Sequence, residues 1–325
     1  MNRSARIFVA GHRGLVGSAL VRRLTTTGHE HLITRTRKEL DLTNQLAVAS
    51  FFHKEKPEYV LLAAARVGGI LANATYPADF IRENLLIQTN VIQDAFANGV
   101  RQLLFLGSSC IYPRDCPQPI REEYFMTGPL EKTNSAYAVA KIAGVEMCHA
   151  YNRQHATEYL CAMPTNLYGP GDNFDLQTSH VLPAMIRKFH EAKTSGGPVV
   201  LWGSGSPRRE FLHVDDLADA CLHLMSLPSE RLSGIFSHDA PPLVNIGCGE
   251  DQTIRDLAIL VAEALGYDGE VCWDRSKPDG TPRKLLDTSL LNGLGWKPRI
   301  ALSDGIRDAY RWFQSQEGAP KSQPA

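Results

Sequence analysis

The chain has no Cys-x-x-Cys pair; its 7 cysteines are scattered through 325 residues. That argues against a zinc knuckle and a disulfide framework, and makes reduced thiols in a cytosol the default. It has no surplus of charge either. Lys and Arg total 34 against 35 Asp and Glu, a formal net charge of -1. There is thus no basic footprint for nucleic acid and no acidic tail. No apolar run approaches membrane-spanning length. Met1-Asn-Arg-Ser-Ala-Arg6 leads straight into an apolar stretch, which leaves no room for a signal peptide. No internal repeat is visible. These absences predict a soluble, cytoplasmic globular protein with neither nucleic acid nor membrane as a partner.

Short apolar runs alternate with helical patterns. Arg6–Ala10, His31–Thr34, Tyr59–Ala64, Gln102–Leu106 and Tyr159–Met163 read as strands. Leu15–Thr27, Leu46–Lys56, Pro77–Asn98 and Ser135–Gln154 read as helices, most of them stopped by Gly or Pro. Strands that alternate with helices predict βαβ units and a doubly wound, Rossmann-type parallel sheet. After Pro170 the loops lengthen and the strands shorten. Residues 1–171 are assigned to the dinucleotide-binding domain, with returning segments near 211–225 and 243–253. Residues 172–317 are assigned mainly to a smaller α/β substrate lobe, and 318–325 to a disordered tail.

Two motifs carry the chemistry. Gly11-x-x-Gly14-x-x-Gly17 follows the first strand and opens the first helix. In that context Gly11 permits the tight turn, Gly14 lets the backbone approach a pyrophosphate, and Gly17 lets helix and strand pack closely. The helix N-terminus then favours the anion. An NAD-specific site places an acid at the tip of the second strand. Here that tip reads Arg35-Thr-Arg37, and Arg13 lies in the glycine loop. Guanidinium groups suit a 2′-phosphate, so NADPH is the expected cofactor. Asp41 is a candidate for the adenine end.

The second motif is Tyr137-x-x-x-Lys141, one helical turn apart, with Asn134 or Ser135 as the expected N-cap. An ammonium beside a phenol should lower the phenol toward working pH. Tyr137 could then protonate a carbonyl oxygen as hydride arrives at its carbon. Gly107-Ser108-Ser109-Cys110 follows the fourth strand at the carboxyl edge of the sheet, where Ser108 could bond the same oxygen. Read alone, Cys110 would be a small buried hydrophobe and His180 a loop or core histidine. His213 is read as structural.

The constellation resembles the extended short-chain dehydrogenase/reductase family that modifies nucleotide sugars. The resemblance covers nearly the whole chain except the tail. It rests on Gly11-His-Arg-Gly-Leu-Val-Gly17, Val67-Gly-Gly-Ile-Leu-Ala-Asn73, Thr75-Tyr-Pro-Ala-Asp-Phe80 and Leu106-Gly-Ser-Ser-Cys-Ile-Tyr-Pro113. Met163-Pro-Thr-Asn-Leu-Tyr-Gly-Pro170, Ser179-His-Val181, Arg209-Glu-Phe-Leu-His-Val-Asp-Asp216 and Ser276-Lys-Pro-Asp-Gly-Thr-Pro-Arg-Lys284 complete it. It implies a bifunctional enzyme that epimerises C3 and C5 of GDP-4-keto-6-deoxy-D-mannose and then reduces the C4 ketone with NADPH, giving GDP-L-fucose.

Matching positions imply Ser108, Tyr137 and Lys141 for reduction and Cys110 with His180 for epimerisation. Implied cofactor contacts are Gly11, His12, Arg13, Gly14, Leu15, Val16, Gly17, Arg37, Asp41, Leu42, Leu106, Gly107, Ser108 and Ser109. Tyr137, Lys141, Pro164, Thr165, Asn166, Leu167 and His180 extend them. Substrate contacts fall on Lys188, Trp202, Arg209 and Asp279, although such enzymes often carry Arg at the position of Lys188. Trp202 is alternatively a core anchor, Asp279 a turn residue, and Lys277, Arg283 and Lys284 a solvated face. The epimerase chemistry fits the residue types: a C4 ketone acidifies both neighbouring C–H bonds, and a thiol and an imidazole titrate near neutral pH. A homodimer is implied through the Pro77–Asn98 and Ser135–Gln154 helices, with Ile87, Val91, Val145 and Met147 at the contact. The alternatives are a 4,6-dehydratase or 4-epimerase, which recycles its cofactor, and a non-catalytic NADPH-sensing protein.

Overall fold

Ile7, Phe8, Val9 and Ala10 are all buried, with no alternation between a wet and a dry face. A strand covered on both sides calls for a parallel sheet with helices above and below. The computed structural model describes residues 1–277 and 279–317, so Pro278 and the 318–325 tail lie outside the described residues.

The first half runs β1 (Arg6–Ala10), α1 (Leu15–Thr26), β2 (His31–Ile33), α2 (Gln45–Glu55), β3 (Tyr59–Leu62), α3 (Ile70–Thr75), α4 (Pro77–Ala97), β4 (Gln102–Leu106), α5 (Ser135–His155) and β5 (Glu158–Pro164). The second half runs β6 (Asn166–Tyr168), α6 (Val181–Ser195), β7 (Val199–Trp202), β8 (Arg208–Arg209), β9 (Phe211–His213), α7 (Val214–Ser226), α8 (Ser229–Leu232) and β10 (Leu243–Ile246). It closes with β11 (Gln252–Thr253), α9 (Ile254–Leu265), β12 (Val271–Asp274), β13 (Arg283–Lys284), α10 (Ser289–Gly293) and α11 (Leu302–Glu317). The helix α3 has no counterpart in the sequence expectation, because six residues are too few to show a period.

Six strands form one parallel sheet in the order β10-β5-β4-β3-β1-β2. The doubly wound expectation therefore holds. Side chains alternate between its two faces. Ile7, Val9, Leu104 and Leu160 pack toward α1 and α7, against Leu20, Leu24 and Leu217. Phe8, Val60, Phe105 and Tyr159 pack toward α2, α4 and α5, against Phe52, Val91 and Val145. Val91 and Val145 are thus fully enclosed within one subunit, which corrects their expected place in a dimer contact. The long apolar faces of α4 and α5 are spent on the sheet and on each other.

A third core joins α6, α9 and α11 with β7 and β12, around Phe189, Leu257, Val261 and Phe313. Helix α9 starts at a reciprocal cap between Thr253 and Asp256, a device worth about 1 kcal/mol. Short strand pairs tie this half to the sheet's carboxyl edge: β6 with β9, and β8 with β11 and β13. The chain reverses direction of winding between β1 and β3. That crevice is where open α/β sheets bind ligands.

Candidate active site

Gly11 has φ +84, and a Cβ there would lie 2.8 Å from the Ala64 backbone just after β3. At Gly17 a Cβ would come within 2.0 Å of the Gly11 carbonyl oxygen. Both positions exclude any side chain, because the colliding atoms are backbone. Gly14 differs: the nearest atom to an added Cβ is 3.5 Å away, so the space over the end of α1 is open. Gly14 is also the N-cap, with no side-chain cap bond. The first-turn N–H groups of α1 are therefore available to an anion. The cradle fits a dinucleotide pyrophosphate.

Around the cradle the three arginines separate. Arg13 is exposed. Arg37 is 60% exposed, with only a 3.7 Å approach to Glu83. Arg35 is instead occupied, 2.7 Å from Glu55 and over the Phe51 ring. Asp41 accepts from the Thr43 backbone at 3.0 Å and from its hydroxyl at 2.8 Å, which holds its carboxyl below the usual range. The Leu42 carbonyl is fixed by Asn90. Burial, with Arg13 adding to it, pushes His12 down.

After β4 the chain turns at Gly107, whose N–H donates to the Ala162 carbonyl at 2.9 Å. Ser109 is buried. Ser108 caps a short 3-10 turn, its hydroxyl accepting from the Cys110 N–H at 3.2 Å. The same hydroxyl lies near enough to the Tyr137 phenol to offset part of the rise in its titration. Lys141, one turn along α5, donates to the Leu106 carbonyl at 2.7 Å. Its ammonium lies 4.6 Å from the Phe105 ring centre and 5.9 Å from that of Tyr137. Burial drives the two groups apart. Lys141 is pushed down to about 7 and Tyr137 well above its ordinary value, with Cys110 adding to the second shift and Ser108 offsetting part of it. The expected lowering of the phenol is therefore corrected. Lys141 is buried and its ammonium bonds the Leu106 carbonyl rather than the phenol, while Tyr137 is partly covered.

Cys110 and His180 come from distant segments. Asn134 sits at the N-cap position of α5 but caps nothing; its amide donates to the Cys110 sulfur at 3.2 Å. Lys284 points its ammonium at the same sulfur from 3.7 Å. His180 immediately precedes α6 and is exposed as a residue. The cleft walls still displace enough water to push it down, and the Lys284 charge adds to the effect. Lys284 is thus not part of a solvated face. Neither Asn134 nor Lys284 was legible in the sequence as a partner of Cys110. The first looked like a cap, and the second closes an Arg-Lys pair whose direction only β13 sets.

Beneath this group lies Glu210, fully buried. Its carboxylate accepts from the Gly249 and Leu286 N–H groups at 2.8 and 3.0 Å. Its carbonyl accepts from the Thr165 hydroxyl and the Asn166 amide. It anchors the loop of Pro164, Thr165, Asn166 and Leu167 at the end of β5. His213 caps α7 through the Asp215 N–H, as a structural histidine should.

Trp202 is 63% exposed at the end of β7, so it is not a core anchor. Lys188 and Lys277 lie 5.5 and 5.6 Å from its ring centre. Lys188 donates to the Val200 carbonyl at 2.8 Å, and burial pushes it down. Arg209 stands on β8 next to Gly280, where a Cβ would lie 2.9 Å from its guanidinium. Asp279 is tied to Ser204, accepting from its N–H at 2.9 Å and its hydroxyl at 2.7 Å. It holds the turn after β7. Among the described residues no cluster of three His, Cys, Asp or Glu could hold a metal ion.

The model of the NAD dependent epimerase/dehydratase family matches residues 7–247. A putative GDP-L-fucose synthase of Arabidopsis thaliana is 60% identical over 314 residues, covering 96% of this chain and 93% of the relative. The GDP-L-fucose synthase of Escherichia coli K12 is 53% identical over 312 residues, covering 95% and 96%. Among solved structures, a GDP-mannoheptose C4 reductase from Campylobacter jejuni with NADP bound superposes with a TM-score of 0.86 at 39% identity, covering 97% of this chain and 99% of that one.

Proposed function

Since this chain belongs to the NAD-dependent epimerase/dehydratase family, we propose that it converts GDP-4-keto-6-deoxy-D-mannose to GDP-L-fucose, by inversion at C3 and C5 followed by reduction at C4 with NADPH. The observation that supports this reading is a thiol in the same short turn as Ser108 and near the Tyr137 phenol. Cys110 shares one short turn with Ser108, whose hydroxyl accepts from the Cys110 N–H at 3.2 Å and lies near the Tyr137 phenol. A dehydratase would want a carboxylic acid where Cys110 stands. Relatives named for this activity at 60% and 53% identity support the choice of sugar.

The chain's residues divide the work. Ser108 and Tyr137 hold the C4 oxygen. Cys110 and His180 face the C–H bonds that the ketone acidifies. One takes a proton, the charge moves to the C4 oxygen, and the other returns a proton to the opposite face. The dinucleotide, when bound, supplies hydride to C4. Tyr137 then gives its proton to the oxygen, and Lys141 faces the phenolate that remains. One oxygen site serves both reactions. Gly11, Gly14 and Gly17 cradle the pyrophosphate, with His12, Leu15, Val16 and Leu42 around the dinucleotide. Arg13 and Arg37 take the 2′-phosphate, and Lys188, Trp202 and Arg209 take the GDP, with Asp279 holding the adjoining turn.

The working unit is a homodimer in the cytoplasm, joined through the outer faces of α4 and α5. Ile87 and Met147 remain partly uncovered there, and Leu86 is 36% exposed. Among the described residues no helix is long and apolar enough to cross a membrane.

The test is product analysis in D₂O with purified protein, the keto sugar and NADPH. One NADPH should be consumed per sugar, and the product should be the L-sugar with deuterium at C3 and C5. Turnover without net NADPH loss would point to a dehydratase or 4-epimerase. A reduced sugar without deuterium would leave only the reductase.

A further inference from the structure

Two donors converge on the Cys110 sulfur from separate parts of the chain: Asn134 Nδ2 at 3.2 Å and Lys284 Nζ at 3.7 Å. Lys284 is not a drifting surface residue. Strand β13 pairs with β8, placing Lys284 opposite Arg209. The next two residues are locked as well. The Leu285 N–H donates to the Gln118 side chain at 2.8 Å, and its carbonyl accepts from Ile120 at 2.7 Å. The Leu286 N–H donates to the buried Glu210 carboxylate at 3.0 Å. Glu210 lies on the same segment as Arg209 and also bonds Gly249. The frame that delivers Lys284 to the sulfur is therefore fixed by a strand pairing and by bonds to Gln118, Ile120 and the buried Glu210.

We propose that Lys284 is a positioning residue for the proton transfers at Cys110, its ammonium holding the sulfur where it must carry negative charge. The inference rests on the assignment of Cys110 to inversion made above. It does not depend on which partner starts. If Cys110 is the base, its sulfur is anionic before the transfer; if it is the acid, the sulfur is anionic after it. In both cases the charge appears 3.7 Å from the ammonium, with the Asn134 amide as the second donor. The same ammonium disfavours a proton on His180, in addition to the effect of burial. One lysine therefore acts on both members of the pair, and makes an imidazolium formed at His180 readier to release its proton. Lys284 is not itself bonded to Ser108, Tyr137 or Lys141, so losing it should leave reduction largely in place even though Cys110 borders Ser108.

The experiment compares wild type, Lys284→Met, Lys284→Arg and Cys110→Ser. Deuterium entry at C3 and C5 is followed at saturating keto sugar with NADP⁺, and the product ratio with NADPH. Melting curves and NADPH binding report on folding. Lys284→Met should lower exchange turnover roughly 10- to 100-fold, the worth of one hydrogen bond to a charged group. NADPH oxidation should persist, and the product should shift toward the unepimerised reduced sugar. Lys284→Arg keeps the charge and should restore most of the exchange. The role fails if Lys284→Met raises KM alone while exchange turnover stays at the wild-type value, because the lysine would then be a substrate ligand. It fails too if Lys284→Arg exchanges no better than Lys284→Met. Those results beside an inactive Cys110→Ser overturn the role of Lys284 alone. Wild-type exchange in Cys110→Ser would overturn the proposed function first, and the role of Lys284 with it.

Discussion

Lys141 keeps its ammonium on the Leu106 carbonyl, with only 3% of the residue exposed. Burial pushes it down to about 7, so its charge changes within the working pH range. The consequence for reduction has a definite sign. If Tyr137 is the acid proposed above, the lysine would be charged below about 7 and would stabilise the phenolate left when the proton goes; as pH rises through that value the support would be lost. Single-turnover hydride transfer should therefore slow as pH rises through about 7. Lys141→Met should flatten that dependence and slow the step by roughly 100-fold, at the lower end of what acid catalysis contributes. An unchanged inflection in the variant would assign it to another group. The raised phenol of Tyr137 fits the same picture, because an acid must keep its proton until the hydride arrives.

The segment after β2 shows what an element decides. Arg35 and Arg37 are two apart and look equivalent in sequence. The turn sends Arg35 onto Glu55 of α2 and leaves Arg37 open. Only Arg37 and the exposed Arg13 remain for a 2′-phosphate. Arg37→Ala should raise KM for NADPH by about 10- to 100-fold and leave KM for NADH nearly unchanged, the loss of one charge-assisted bond. Arg35→Ala should lower the melting temperature and leave cofactor preference alone. Steady-state kinetics with both cofactors distinguishes the two, and equal effects of Arg37→Ala on both would make that arginine a bystander. Much of this was legible beforehand. Strand and helix ranges came within a few residues because their apolar periods are long. The destination of each arginine was not, since it depends on what α2 places beside the loop.

At the scale of the whole molecule, the sheet spends the inner faces of α4 and α5, and the proposed dimer would use what those helices leave uncovered. Val91 and Val145 are enclosed, whereas Leu86 is exposed and Ile87 and Met147, packed against the same core, are only partly covered, so the proposed contact would draw on these three. Sedimentation at micromolar concentration should give a dimer. Leu86→Asp combined with Met147→Glu should give a folded monomer, because two charges would be buried without partners. A wild-type monomer would remove the dimer from the proposal.

Local chemistry determined a large share of this protein from the sequence alone. The three glycines, the Tyr137–Lys141 spacing and the alternation of strands with helices each follow from short-range sterics and periodicity. Those rules act within one turn or one βαβ unit, so they survive without knowledge of the fold. Only the tertiary structure decided which groups meet across the cleft. Lys284 reaches Cys110, a contact 174 residues apart in sequence, because β13 pairs with β8. Asn134 turns from cap to sulfur donor because the turn after β4 ends beside it. Burial, a property of the whole molecule, separates the Tyr137 and Lys141 titrations that their spacing alone would have drawn together.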